Sequence, residues 1–143
     1  MGNRPKKDGA PPKPPSERAK QNDARIRQAV AEAGRALATL NVGKAFTANS
    51  HYQLANRLAF AWKLASLGVP VTLLYLGFCG DHGIARVGAP LASKEHWYSV
   101  FGSHISACLT MDSQELRVAV NGVPMWVVVR SRWVLSQSPP IGI

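Results

Sequence analysis

The segment from Ser50 to Asp81, SHYQLANRLAFAWKLASLGVPVTLLYLGFCGD, limits the possible folds of this chain more than any other stretch. Leu54, Leu58, Ala61, Trp62 and Ala65 fall on one face of a helix that starts near Ser50. Ala55, Ala59, Phe60, Leu64 and Leu67 cover much of the remaining surface. A helix apolar over most of its circumference packs on more than one side. Gly68 stops it, and Pro70 cannot continue it. The run Val69 to Phe78 then carries Val71, Leu73, Leu74, Tyr75, Leu76 and Phe78 with no polar alternation. Such a strand is expected in a sheet covered by helices on both faces. GFCGDHGIARVGAP follows as a Gly-rich loop at its carboxyl end.

The rest of the chain extends this α/β unit. From Asn22 to Leu40, the residues Ile26, Val30, Ala33, Leu37 and Leu40 recur at helical spacing, and Asn41 and Gly43 end the pattern. Ser93 is an N-cap for a third helix whose inner face is expected to hold Trp97, Val100, Phe101 and Ile105. Leu116 to Val120 and Val123 to Val129 flank Asn121-Gly122, a strong short hairpin signal. Pro124 cannot donate to a ladder, so an edge or bulge position is expected for it. The order is α-α-β-α-β-β, which predicts a small three-layer-like α/β domain over residues 22–134. Residues 1–21 read as a disordered, basic, Pro-rich tail and 135–143 as an irregular one. A strand apolar on both faces wants a neighbour at each edge, and only the C-terminal hairpin can supply one. Two expectations follow: a sheet that began upstream in a longer ancestor, or dimerisation through an exposed sheet edge.

Charge directs attention to polyanions. The 143 residues carry a formal net charge of +9. Arg4, Lys6, Lys7, Lys13, Arg18 and Lys20 against Asp8 and Glu17 give the first twenty residues +4 of that total, so tail and body are both basic. Such a surface attracts DNA or RNA in a salt-dependent way. The two cysteines, Cys79 and Cys108, make no disulfide framework and read as buried thiols of a cytoplasmic protein. No apolar h-region follows the basic N-terminus, and the run Val69 to Cys79 is too short to span a bilayer, so no membrane partner is expected.

Three groups of residues carry chemical potential. Gln53, Asn56 and Arg57 lie three and four apart, on one face of the second helix, as a donor-rich patch suited to phosphate. Against this, Ser50-His51-Tyr52-Gln53 fits a capping box that would commit Gln53 to its own helix. Asp81 and His82 follow the buried strand, where α/β proteins place ligands, and suit metal or acid–base chemistry; an Asp between glycines is equally an ordinary turn residue. Trp126, Arg130, Arg132 and Trp133 interleave aromatic and basic groups as nucleic-acid-binding surfaces do, although a core Trp beside a solvated Arg pair gives the same pattern. No nucleophile elbow, P-loop or dinucleotide fingerprint is present.

YQLANRLAFAWKLASLGVPVTLLYLGFCGD, followed by GAPLASKEHW, resembles the C-terminal half of a group of bacterial proteins with PD-(D/E)XK nuclease-like (restriction-endonuclease-like) folds, over roughly residues 22–107. The resemblance implies Mg²⁺-assisted phosphodiester hydrolysis, with acids holding the metal and a Lys orienting water. It also implies a strand bearing Glu-x-Lys ahead of the helix that carries Gln53. The acids of this chain are Asp8, Glu17, Asp23, Glu32, Asp81, Glu95, Asp112 and Glu115, and none has Lys two residues later. The metal site therefore does not carry over. Only Gln53, Asn56 and Arg57 do, as accessory residues. The expectation is a shortened or decayed, non-catalytic member, or the product of a start codon placed too late, without a cofactor and with Mg²⁺ entering only if the upstream motif were restored.

Overall fold

The computed structural model describes residues 14–49, 51–81, 83, 88–111 and 114–134. The elements run α1 (Glu17–Thr39), α2 (Tyr52–Ser66), β1 (Val71–Cys79), α3 (Lys94–Ile105), β2 (Glu115–Val120) and β3 (Val123–Trp133). This is the expected α/β order. Of the expected tails, 1–21 and 135–143, residues 1–13 and 135–143 lie outside the described residues, whereas 17–21 are helical and belong to α1.

Helix ends follow local chemistry. α1 begins ahead of the expected Asn22, because Ser16 caps it by accepting from the Ala19 N–H at 3.3 Å and Glu17 sits in the first turn. Both α1 and α2 close with paired carbonyl-capping bonds. Val42 and Asn41 donate to the Leu37 and Ala38 carbonyls, and Val69 and Gly68 donate to those of Leu64 and Ala65. The residue that turns the chain away is left-handed in each case: Asn41 at φ 58° and Gly68 at φ 92°.

The sheet has the order β1-β3-β2. β1 runs parallel to β3, in register from Val71 opposite Met125 to Cys79 opposite Trp133. β2 and β3 form the expected hairpin, with Val120 opposite Val123 and the turn residues Asn121 and Gly122 at φ 52° and 81°, as a tight primed turn requires. Pro124 lies in the central strand, a departure from the edge or bulge expected. It pairs with Ala119 one step beyond the turn, where alternation points its ring nitrogen away from β2, and the pairing with β1 starts only at Met125. No ladder bond is lost.

One apolar core joins the inner sheet face to the helices. Met125, Val127, Val129, Val120 and Tyr75 meet Leu54, Leu58, Ala61, Phe101 and Ile105, and α1 adds Val30, Ala33 and Leu37 from behind α2. Cys79 and Cys108 are free, buried thiols, as expected.

Two burial expectations fail. β1 is not covered on both faces: Leu74 (53 % exposed), Leu76 (38 %) and Phe78 (51 %) point away from the helices into a face that no other described residue covers. Phe60, Leu67 and Val100 are likewise exposed, because α2 and α3 use other residues to meet the core. Only β3 flanks β1 as a ladder, so the other edge of β1 is open among the described residues apart from a single bridge at Cys79–Leu91. Among the described residues, no helix is long and apolar enough to cross a membrane.

Candidate functional site

The α2 cluster forms as the spacing predicts. Gln53, Asn56 and Arg57 are all exposed, and among the described residues none of their side chains is in a hydrogen bond or ion pair. The capping-box alternative does not take up Gln53. His51 occupies the N-cap in a left-handed conformation with no side-chain cap bond, and Ser50 lies outside the described residues. No acid occupies the first turn of α2, so the positive end of the helix dipole there is uncompensated by its own residues.

Two cavities meet at Arg57. One, of about 260 Å³, opens between α2, α3 and β1 and is lined by Gln53, Leu54, Arg57, Tyr75, Trp97, Phe101, Val100 and His104. The other, of about 460 Å³, follows the open edge of β1 past Asn56, Phe60, Leu64 and Thr72. Among the described residues, no carboxylate lines either one.

The smaller cavity has an aromatic wall. The Tyr75 and Phe101 ring centres lie 4.5 Å apart, and those of Trp97 and Phe101 5.2 Å apart. Trp97 lies flat against β1 because position 77 is glycine: a Cβ there would stand 2.5 Å from the indole ring. The Tyr75 hydroxyl and the Trp97 Nε1 are both buried without a hydrogen-bond partner among the described residues. Burial pushes the Tyr75 hydroxyl up to about 12, against the opposing pull of the Arg57 cation. At the mouth, the rings of His51 and His104 meet edge to face at 4.1 Å. Burial, and then the charge of His51, hold His104 below its ordinary value.

The other predicted residues lie elsewhere. Arg130 and Arg132 alternate onto the outer sheet face with Arg117 and Trp126, opposite the face on which α2 packs. Arg130 is ion-paired with Glu115, which also bonds Arg117 at 3.1 Å, and these two arginines hold the Glu115 carboxyl below its usual range. Arg117 lies 5.2 Å from the Trp126 ring centre. The predicted nucleic-acid set is therefore two separate basic groups, not one surface. Asp81 accepts from the Gly83 N–H at 2.9 Å, an ordinary turn contact, and His82 lies outside the described residues. Among the described residues, no group of three or more His, Cys, Asp or Glu side chains converges. A further cavity, about 640 Å³ between α3 and the β2–β3 end, borders Arg130 and Glu115 but none of the α2 cluster.

Tyr75 and Trp97 read as core residues in the sequence. The one available signal was Gly77 inside an apolar strand, since such a glycine often marks a close approach. Comparison of the chain with family models, with curated proteins and with solved structures finds no match.

Proposed function

We propose that this chain binds nucleic acid through the Gln53, Asn56 and Arg57 face of α2, without cutting it. The observation that carries this reading is a trio of donor side chains, exposed and uncommitted, beside cavities that no carboxylate lines among the described residues. Amides and a guanidinium in that setting suit phosphate oxygens. A net charge of +9 supplies the long-range attraction. The motifs around Gln53 support a PD-(D/E)XK nuclease-like ancestry, and the lack of any Glu-x-Lys pair in the sequence supports binding over cleavage.

Fluorescence anisotropy with a labelled single strand tests the assignment. Arg57→Ala is expected to weaken binding and to lower the salt slope by about 1 for each lost phosphate contact. Arg132→Ala, on the other sheet face, is expected to have the smaller effect. Absence of binding at low salt, or equal losses in the two variants, overturns the reading.

A second reading, self-association through the outer face and open edge of β1, is favoured by the exposure of Leu74, Leu76, Phe78 and Trp126. Aromatic and Arg side chains together are also what interface centres favour.

A further inference from the structure

We infer that the cavity between α2, α3 and β1 is a pocket for one unstacked nucleotide, its base against Trp97 and Phe101 and its phosphate at Arg57. This rests on the nucleic-acid reading above and names what the same site would hold.

Four features of the cavity define its occupant. The wall of Trp97, Phe101, Tyr75 and Leu54 suits a flat, largely apolar body. Two of the lining residues also carry a polar atom that is buried without a partner among the described residues, the Tyr75 hydroxyl and the Trp97 Nε1, both just behind the wall. Tyr75 is only 9 % exposed overall, so its hydroxyl has no easy route to bulk water. Buried polar groups without partners are uncommon and costly, and a ligand that parts the Tyr75 and Trp97 rings far enough to reach them recovers that cost. The indole N–H can only donate, while the phenol can donate or accept. The edge of a nucleobase offers both kinds of partner; a purely apolar ring offers neither. Arg57 and Gln53 lie at one side and His104 at the mouth, with no carboxylate in the lining among the described residues, so the occupant carries its charge as an anion. The volume, about 260 Å³, falls just below the roughly 300–1,000 Å³ of pockets for drug-sized ligands. It suits one small ring system and excludes a folded stretch of strand.

Gly77 shows that the wall depends on a specific residue. Any side chain at this position would push the indole off the strand, 2.5 Å being too short for a Cβ contact. The position of Trp97, and hence of its N–H, is set by that glycine.

The test follows the Trp97 indole N–H resonance by NMR, assigned with Trp97→Phe, because three other tryptophans would obscure fluorescence. The full chain is titrated with each nucleoside 5′-monophosphate, with inorganic phosphate, with an unphosphorylated nucleoside and with a short single strand. The expected result is a saturable shift with a mononucleotide and with the strand, and weaker responses to phosphate or nucleoside alone. Tyr75→Phe, which removes only the hydroxyl, is expected to weaken mononucleotide binding about two- to tenfold. Arg57→Gln is expected to weaken it about tenfold or more. Thermal melting of both variants confirms that they fold.

No shift with mononucleotide or strand overturns the pocket, even if the strand still binds elsewhere and the broader reading survives. An equal response to inorganic phosphate overturns it as well, since the aromatic wall would then contribute nothing. Mononucleotide binding without strand binding supports the pocket while removing the broader reading.

Discussion

The mouth of the cavity carries a titratable pair whose behaviour can be worked out from its surroundings. His104 lies in the last turn of α3 with its ring 4.1 Å from that of His51. Burial and then the neighbouring His51 lower its proton affinity from the ordinary value of 6.5. The unfolded chain therefore takes up this proton at a higher pH than the folded protein does. Above about 6.5 both forms are neutral at this site and it contributes nothing to the pH dependence; as pH falls through that value, stability declines, levelling off below the folded value. The midpoint of thermal unfolding should thus drop between about pH 7 and 5.5, and drop less in His104→Gln. Identical declines in the two proteins would show that His104 is not the group responsible. The sequence did not reveal this pair. His51 and His104 are far apart along the chain with no ligand-like spacing, and only the packing of α3 beside the start of α2 brings them together.

Mutations in β1 and α2 should separate what the strand buries from what it displays. A central, doubly covered β1 would make Leu74→Ala cost about 2–5 kcal/mol. Leu74 is instead 53 % exposed and faces away from the helices, so about 1 kcal/mol or less is expected. Leu58, fully buried in the middle of α2, takes the larger cost of about 2–5 kcal/mol. Gly77→Ala should cost about 1–3 kcal/mol by overpacking against Trp97 and shift the indole resonance with it. Urea unfolding of the three variants gives the ranking, and Leu74→Ala as costly as Leu58→Ala would mean that the outer face is covered. The ends and types of these elements were legible because they depend on neighbours in sequence. Asn41 and Gly68 turn the chain out of α1 and α2, and Asn121-Gly122 sets the hairpin. The true start of α1 at Glu17 was missed, because the Pro- and Lys-rich composition just before it reads as a tail. Coverage of β1 was not legible. An unbroken run such as Leu73-Leu74-Tyr75-Leu76 shows no alternation by which to tell an inner from an outer face, and coverage depends on how many elements are available to pack there. The donor trio was readable from spacing; the meeting of Gln53 and Arg57 with Tyr75 and Trp97 was not, because three elements distant in sequence form that cavity.

The basic charge and the bare sheet face set the two proposed interactions apart by their response to salt. Two copies of a chain with net charge +9 repel each other, so docking through Leu74, Leu76, Phe78 and Trp126 must overcome that repulsion with apolar burial. Added salt screens the repulsion over about 10 Å at 0.1 M and leaves the apolar term largely intact. Nucleic-acid binding responds oppositely, because salt reduces the gain from releasing counterions. Raising salt from about 50 to about 500 mM should therefore increase the dimer fraction seen by light scattering at tens of micromolar while weakening strand binding. Phe78→Lys places a further cation on the exposed face, beside Arg132, and should give a monomer at every salt concentration, with Arg57-dependent strand binding retained. A wild-type chain that stays monomeric throughout would remove the self-association reading and leave the outer face without a second copy as its partner. Dimerisation that follows the same salt trend as strand binding would instead mean that nucleic acid bridges the two copies.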